Sequence, residues 1–322
     1  MSRVLVTGAT GFLGGRIAEQ LLAEGHEVRA LVRPSSRRDH LKGVVPVEGS
    51  LQDEASLDRA LEGCEAVFHA AAVLGFWKGV EREQEESNVL GTRRVCAAAL
   101  RARVKRLVHT SSVAAVGVPE EGAVADESSP FTAGAARTAY ARTKQAAERE
   151  VLEAAERGLD AVILNPSVVY GIRPNLHYSS NLFQDLAAGR VPAYPTGGCS
   201  WVWGEDAAAG HLLAWRQGRT GRRYILGAEN LPYRDFMRAV CGVAGSRPPF
   251  LPVPGPAARL AAAVLELRSS LNGRHPMLSS DMARMSTRHL YYDSGRARRE
   301  LGWTPTPLEE AGRKELQRPC PN

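Results

Sequence analysis

The sequence predicts an α/β protein built on a doubly wound parallel sheet. Three observations carry this. Short β-branched runs alternate with helical runs through the first half, a glycine-rich turn sits at the first strand-to-helix junction, and the 322-residue chain is 44% hydrophobic, enough to bury a large core. Parallel strands need crossover connections, which the helices supply while covering both faces of the sheet.

RVLV (residues 3–6) is the first strand. It gives way to a glycine turn and to GRIAEQLLAEG, where Ile17, Leu21 and Leu22 recur at helical spacing before Gly25 closes the helix. EVRALVR (27–33) is the next strand; after a loop, DEASLDRALEG reads as a helix and AVFHAAA (66–72) as a buried strand. A long helical stretch from about Glu81 to Arg103 precedes RLVHTSS (106–112), and a helix carrying TAYARTKQAAE (138–148) leads into DAVILNP (160–166). Beyond Pro166 the rhythm changes. Proline and glycine become frequent, NLHYSSNLFQDLAAGRVPAYPTGG reads as loop, helix, loop, and strand-and-helix pairs follow at SWVWGEDAAAGHLLAWRQ and RYILGAENLPYRDFMRAVCGVAG. PAARLAAAVLELRSSLN, near 257–271, is an alanine-rich helix without a dense basic face, expected in the core or as a lid rather than on a membrane surface.

No apolar run reaches the length of a membrane span, and MSRVLVTGATGFLG has neither a charged leader nor a cleavage site, so the expected location is cytoplasmic, with no membrane partner. Five cysteines (Cys64, Cys96, Cys199, Cys241, Cys320) are scattered without a CxxC pair; reduced thiols are expected, mainly in the core, and no metal site. The net charge is +6, but the arginines are spread along the chain and no nucleic-acid module accompanies them. Such a balance suits a phosphate-bearing small ligand better than a nucleic acid.

VTGATGFLGGR places Gly8, Gly11 and Gly14 between strand and helix, where a missing Cβ permits a tight turn, close approach of a pyrophosphate and close helix packing. With the helix N-terminus offering N–H groups to phosphates, Gly8, Thr10, Gly11, Phe12, Leu13 and Gly14 are the expected dinucleotide contacts of a Rossmann domain. The end of the second strand discriminates between cofactors. A carboxylate there would bind a free ribose 2′-hydroxyl; this chain has Arg33, with Ser35, Ser36, Arg37 and Arg38 beside it, and arginine favours a 2′-phosphate. NADP(H) is therefore expected over NAD. The domain division is 1–166 for dinucleotide binding and 167–322 for a mainly substrate-binding region, with a segment near 196–228 returning to the sheet.

Lysine is rare, five among 41 basic residues, yet Lys144 stands four positions after Tyr140, which shares its helix face. An unperturbed phenol titrates near 10, and a nearby ammonium is expected to lower that value and bring it into range for proton exchange with an alcohol or carbonyl. HTSSVAAVG, at a strand end where ligands bind in such sheets, supplies Thr110, Ser111 and Ser112 as hydroxyl donors for the substrate oxygen.

With these motifs in order, the sequence resembles the extended short-chain dehydrogenase/reductases nearly end to end: TGATGFLG, VFHAAA, NVLGT, TSSVAAVG, YARTK, NPSVVYG, GEDAAAGHLLA and LGWTPTPLEEA. It is most similar to dihydroflavonol-reductase-like and hopanoid-associated sugar epimerase sequences, with some likeness to 3β-hydroxysteroid dehydrogenases. The resemblance implies that Tyr140 is the acid/base, that Lys144 binds the nicotinamide ribose and assists Tyr140, and that Ser112 holds the substrate oxygen. It implies that Ala70, Ala71 and Ala72 line the cofactor, that Pro166, Val168 and Val169 approach the carboxamide, and that the chain dimerises through its long helices. Asn88 of NVLGT matches a family asparagine on the long helix, with a plain helix-surface or packing role equally open. Two departures stand out. Ser50, with Leu51 after it, replaces the usual adenine-contacting aspartate, and the family's FVHVDDVA appears as WVWGEDAAA, so that Trp201 and Trp203 are either core or an apolar substrate wall.

Between Pro166 and Trp203, Arg173 and Arg190 are outnumbered by Leu176, Tyr178, Leu182, Phe183, Tyr194 and the tryptophans, and Phe76 and Trp77 follow the third strand read from the sequence. This balance suits an NADP(H)-dependent oxidoreductase acting on an apolar or aromatic carbonyl or alcohol. The alternatives are a nucleotide-sugar epimerase or dehydratase with tightly bound NAD, and a non-catalytic NADP-binding sensor.

Overall fold

The computed structural model describes residues 1–38, 40–77, 79–132, 134–172, 179–272, 276 and 278–318. In chain order the elements are β1 (Arg3–Thr7), α1 (Phe12–Ala23), β2 (Glu27–Val32), β3 (Val45–Glu48), α2 (Glu54–Leu61), β4 (Ala66–His69), α3 (Glu81–Gln84), a π-helical turn (Glu85–Leu90), α4 (Gly91–Ala102), β5 (Arg106–Thr110), β6 (Val124–Ala125), α5 (Ala139–Glu156), β7 (Ala161–Pro166) and β8 (Val168–Tyr170). There follow α6 (Ser179–Ala187), β9 (Ala193–Pro195), β10 (Gly198–Trp203), α7 (Gly204–Gln217), β11 (Arg223–Leu226), β12 (Glu229–Pro232), α8 (Tyr233–Ala244), β13 (Leu251–Val253), α9 (Gly255–Asn272), α10 (Ser280–Met285), β14 (His289–Tyr292), α11 (Gly295–Leu301) and α12 (Leu308–Leu316).

The central sheet has the order β11-β7-β5-β4-β1-β2-β3, and every pairing in it is parallel. Its two faces follow from the alternation of side chains along each strand. In β1, Val4 and Val6 pack with Ile17 and Leu21 of α1 and with Ala208 and Leu212 of α7. Leu5 points to the other face, with Leu57 and Leu61 of α2, Val95 of α4 and Val151 of α5. This is the doubly wound α/β architecture predicted. The sequence reading passes over β3: VPVE is four residues with a proline, at the sheet edge where Pro46 is tolerated.

A second sheet of order β12-β10-β14-β6, with β8 also paired to β10, carries its own core around Trp201, Phe236 and Tyr292. The chain leaves the central sheet at Pro166 and enters this one at Val168, while β11 brings it back to the central sheet beside β7. The closing LGWTP segment is pinned on α7: Trp303 Nε1 donates to the Asp206 carbonyl at 2.9 Å, and the Asp206 carboxylate accepts from Thr306 N at 2.7 Å. A buried ionic cluster joins the ends of the chain. Arg16 of α1 pairs with Glu205 (2.8 Å) and Glu315 (2.7 Å) and donates to the Ile172 carbonyl, while Glu315 also accepts from Trp203 Nε1 at 2.7 Å.

Of the two placements expected for helix α9, core or lid, the core one is not found. Among its residues with described burial, only Ala258 and Ala262 are buried, in a small cluster with Ala283. Among the described residues no helix is long and apolar enough to cross a membrane. Arg173, Leu176, Tyr178 and Cys320 lie outside the described residues.

Candidate active site

The parallel strands deliver the predicted residues to one edge, because Gly8 follows β1, Ala70 follows β4, Ser111 and Ser112 follow β5 and Ser167 follows β7, all at carboxyl ends. At the glycine turn, Gly8 has φ +75°, and a Cβ there would lie 2.6 Å from Ala71 N. A Cβ on Gly14 would lie 2.3 Å from the Gly8 carbonyl oxygen. Gly11 N donates to that same carbonyl at 2.9 Å and forms the N-terminal boundary of α1 without a side chain in the way. The turn is therefore a cradle that any side chain would fill, at a helix N-terminus, which is the form a pyrophosphate requires. Thr10 and Leu13 sit half-buried in it, and the Phe12 ring packs close to Gly171 and Gly204 under the Arg16 guanidinium. Ala70 and Ala71 are held against this turn, through Ala70 N to the Thr7 carbonyl (3.1 Å) and Ala71 N to Thr7 Oγ1 (3.4 Å), and Ala72 follows, exposed.

Arg33 is exposed just past the end of β2, and Arg38 is engaged by Glu48 at 2.7 Å. Ser50 starts the turn into α2, its amide bonded to Ser56 Oγ at 3.1 Å, and Leu51 is buried against Gly91.

The Tyr140 helix begins where Thr138 Oγ1 caps Ala141 N at 3.2 Å, so that Tyr140 falls in the first turn of α5 and Lys144 one turn on. Tyr140 lies beside the Ser112 side chain, and its ring meets Phe76 edge-on with centroids 5.6 Å apart. Lys144 is buried and donates to the Thr110 carbonyl at 2.7 Å. Burial pushes its amine down to about 8, against an upward pull from Glu148 one turn further along α5. The expected lowering of the Tyr140 phenol is not found. Burial raises it, the neighbouring Ser112 hydroxyl opposes this only partly, and desolvation outweighs any help from the helix neighbour.

Residues 4–227 match the NAD dependent epimerase/dehydratase family. The chain belongs to that family. A Synechocystis sp. protein provisionally named dihydroflavonol 4-reductase is 38% identical over 316 residues, covering 95% of this chain and 91% of its own. Sterol demethylase protein B of Methylococcus capsulatus is 37% identical over 319 residues, covering 95% of each. The crystal structure of Thermus thermophilus UDP-glucose 4-epimerase in complex with NAD matches at TM-score 0.76 and 26% identity, over 98% of this chain and 97% of that one. Membership places the protein among the extended short-chain dehydrogenase/reductases, enzymes of oxidoreductase type that use a nicotinamide cofactor.

Within this family fold, the support behind the site is more extensive than the motifs indicate. Glu148 is buried and accepts from Ser111 Oγ, from Asn165 Nδ2 at 2.6 Å and from Arg223 at 3.2 Å, and Asn165 also donates to the Ser112 carbonyl at 2.9 Å. Its signal in the sequence is its position, i+4 from Lys144 on one stripe of α5. Asn88, in the π-helical turn, clamps Val73 by accepting from its N–H (2.7 Å) and donating to its carbonyl (3.1 Å), and reaches Thr143 Oγ1 at 3.3 Å. That fixes the loop leading to Phe76. Three buried imidazoles also lie behind the strand ends. His69, held by Thr7 and Thr92, is pushed down to about 3 by burial and the Lys144 charge; His211 is pushed down to about 4 by burial; and His109 lies well below its ordinary value for the same reason. All three are neutral at pH 7, so none adds charge beside Lys144.

Trp201 and Trp203 prove to be core residues. Trp201 stacks on Phe236 with centroids 3.6 Å apart, and Trp203 is committed to Glu315, so neither forms a substrate wall. In β8, Val168 pairs with Trp201 and Val169 with Val202, both half-buried where the two sheets meet at Pro166. The four described cysteines are buried and free, and no cluster of metal-ligating side chains occurs among the described residues.

Proposed function

We propose that the protein is an NADP(H)-dependent reductase, or the reverse dehydrogenase, moving hydride between nicotinamide and the carbonyl or alcohol carbon of an apolar or aromatic small molecule. The observation that carries this is the placement of Tyr140 and the buried Lys144 amine one turn apart on the same helix, with the Ser112 side chain beside Tyr140 and Lys144 donating to the Thr110 carbonyl. Bound nicotinamide supplies or accepts the hydride. Ser112 Oγ orients the substrate oxygen, and the Tyr140 hydroxyl gives it a proton in the reductive direction. A phenol raised by burial stays protonated at neutral pH, the form needed to act as acid. Lys144 holds the cofactor ribose and steadies the charge that develops on the phenol as its proton leaves.

The cradle of Gly8, Gly11 and Gly14 would hold the pyrophosphate with Thr10, Phe12 and Leu13, while Ala70, Ala71, Ala72, Pro166, Val168 and Val169 would line the nicotinamide side. Ser50 and Leu51 would meet the adenine, and exposed Arg33 the 2′-phosphate. Residues 167–322 would supply most substrate contacts, with Phe76 closing the site over Tyr140. Support for an apolar substrate comes from that ring and from the relatives, whose names refer to a dihydroflavonol and a sterol. A cytoplasmic homodimer completes the reading.

The test is NADPH oxidation across a panel of ketones and aldehydes, with Tyr140→Phe as the control. Turnover by the variant should fall by about 10²–10⁴-fold while nucleotide affinity holds. Full activity in Tyr140→Phe, or stoichiometric NAD in the purified protein with no net redox turnover on any carbonyl, overturns the proposal, the second outcome in favour of an epimerase or dehydratase.

A further inference from the structure

Helix α9 carries three large apolar side chains on the side facing away from the protein. Ala258 and Ala262 pack inward with Ala283, with Val253 of β13 against them. On the opposite side Leu260, Val264 and Leu267, at i, i+4 and i+7, are 69%, 59% and 65% exposed. Phe250 and Leu251, at the start of the adjoining β13, are 78% and 53% exposed. Five large apolar side chains exposed within eighteen residues exceed the scattering normal to a soluble surface.

Charge says what covers this face. At about 100° of rotation per residue, Arg259 and Arg268 fall on the two flanks of the leucine strip, and both are exposed. The single carboxylate of α9, Glu266, is turned toward α10, where it accepts from Ser280 N and Oγ at 2.7 Å each. The outward face is thus apolar along its centre, cationic on both edges and free of acid. A second copy of this chain would set like charges against each other, whereas lipid phosphates complement them.

We propose that α9 and the start of β13 dock the protein on the surface of an anionic lipid bilayer. The leucine strip and Phe250 enter the interfacial layer, and the arginine stems lie along it with their guanidinium groups at the phosphates. This is docking at the surface and not a span, and it departs from the sequence-based expectation of no membrane partner. β13 pairs with β9, Pro252 opposite Tyr194, so the docking face is continuous with the segment read as substrate-binding. The inference stands whether or not the reaction assigned above is the right one.

The test is co-sedimentation of the full chain with vesicles of phosphatidylcholine plus phosphatidylglycerol and with vesicles of phosphatidylcholine alone. Binding to the mixed vesicles that weakens with salt, and weak binding to the neutral ones, are expected. The exposed double substitution Leu260→Ser/Leu267→Ser should lower the partition coefficient by about tenfold or more. Arg259→Glu/Arg268→Glu should abolish the preference for anionic lipid, both variants keeping the parent circular dichroism spectrum and nicotinamide-nucleotide binding. Absence of vesicle binding, equal binding to both vesicle types, or binding unchanged by the leucine substitutions overturns the proposal. A dimer in analytical ultracentrifugation that the leucine substitutions dissociate, in a protein that ignores vesicles, assigns the face to a second copy instead.

Discussion

Replacing Lys144 by methionine removes a buried charge while roughly keeping its volume. Lys144 is 2% exposed, and burial lowers its amine from 10.5 to about 8. A lysine whose folded-state value lies below its unfolded value binds fewer protons when folded. Stability therefore rises with pH between about 8 and 10.5, and the destabilisation is fully present below about 8. At 1.36 kcal/mol per pH unit, that interval corresponds to about 3 kcal/mol. The substitution also removes the bond to the Thr110 carbonyl and a positive neighbour of Glu148, effects that shift the variant's stability at every pH. The readout is therefore the difference in pH dependence. Urea unfolding of both proteins without cofactor, from pH 7 to 10.5, should show the parent gaining about 3 kcal/mol more than Lys144→Met. A difference below ~1 kcal/mol would refute the claim that burial, opposed only weakly by Glu148, governs this amine. The variant should also lose nicotinamide-nucleotide binding, as a residue kept charged at a cost in stability for the sake of function would.

Arg33→Asp should raise the KM for NADPH and leave NADH use unchanged or improved; steady-state kinetics with both cofactors reads this, and unaltered discrimination moves the 2′-phosphate site elsewhere. In Gly14→Ala the new Cβ would lie 2.3 Å from the Gly8 oxygen, a backbone atom that cannot yield without reshaping the turn. Stability should fall by about 1–3 kcal/mol, with nucleotide binding lost in a fluorescence titration. Arg16→Met leaves buried Glu315 without its arginine partner, while Glu205 keeps Arg318, and urea unfolding should show a loss of about 3–5 kcal/mol; a loss the size of a surface pair would refute the claim that this buried pair holds the two helices together.

What the sequence determined by itself was local. Glycine spacing at a strand-to-helix junction, the i and i+4 placement of Tyr140 and Lys144, and the alternation of strand and helix follow from backbone geometry that neighbouring residues control, so the sheet, the phosphate cradle and the Tyr/Lys helix were all legible. The tertiary structure decided whatever depends on removal from water or on partners far along the chain. Arg16 looks like any helix-surface arginine until Glu315, 299 residues away, meets it in the core. Trp201 becomes core only when Phe236 stacks on it, and β3 exists only because β2 offers it an edge. Alanine suits either side of a helix, so packing alone turned Leu260 and Leu267 of α9 outward. Desolvation likewise reversed the expected sign at Tyr140, because the dielectric surroundings of a phenol are set by the whole fold and not by the residue four places on.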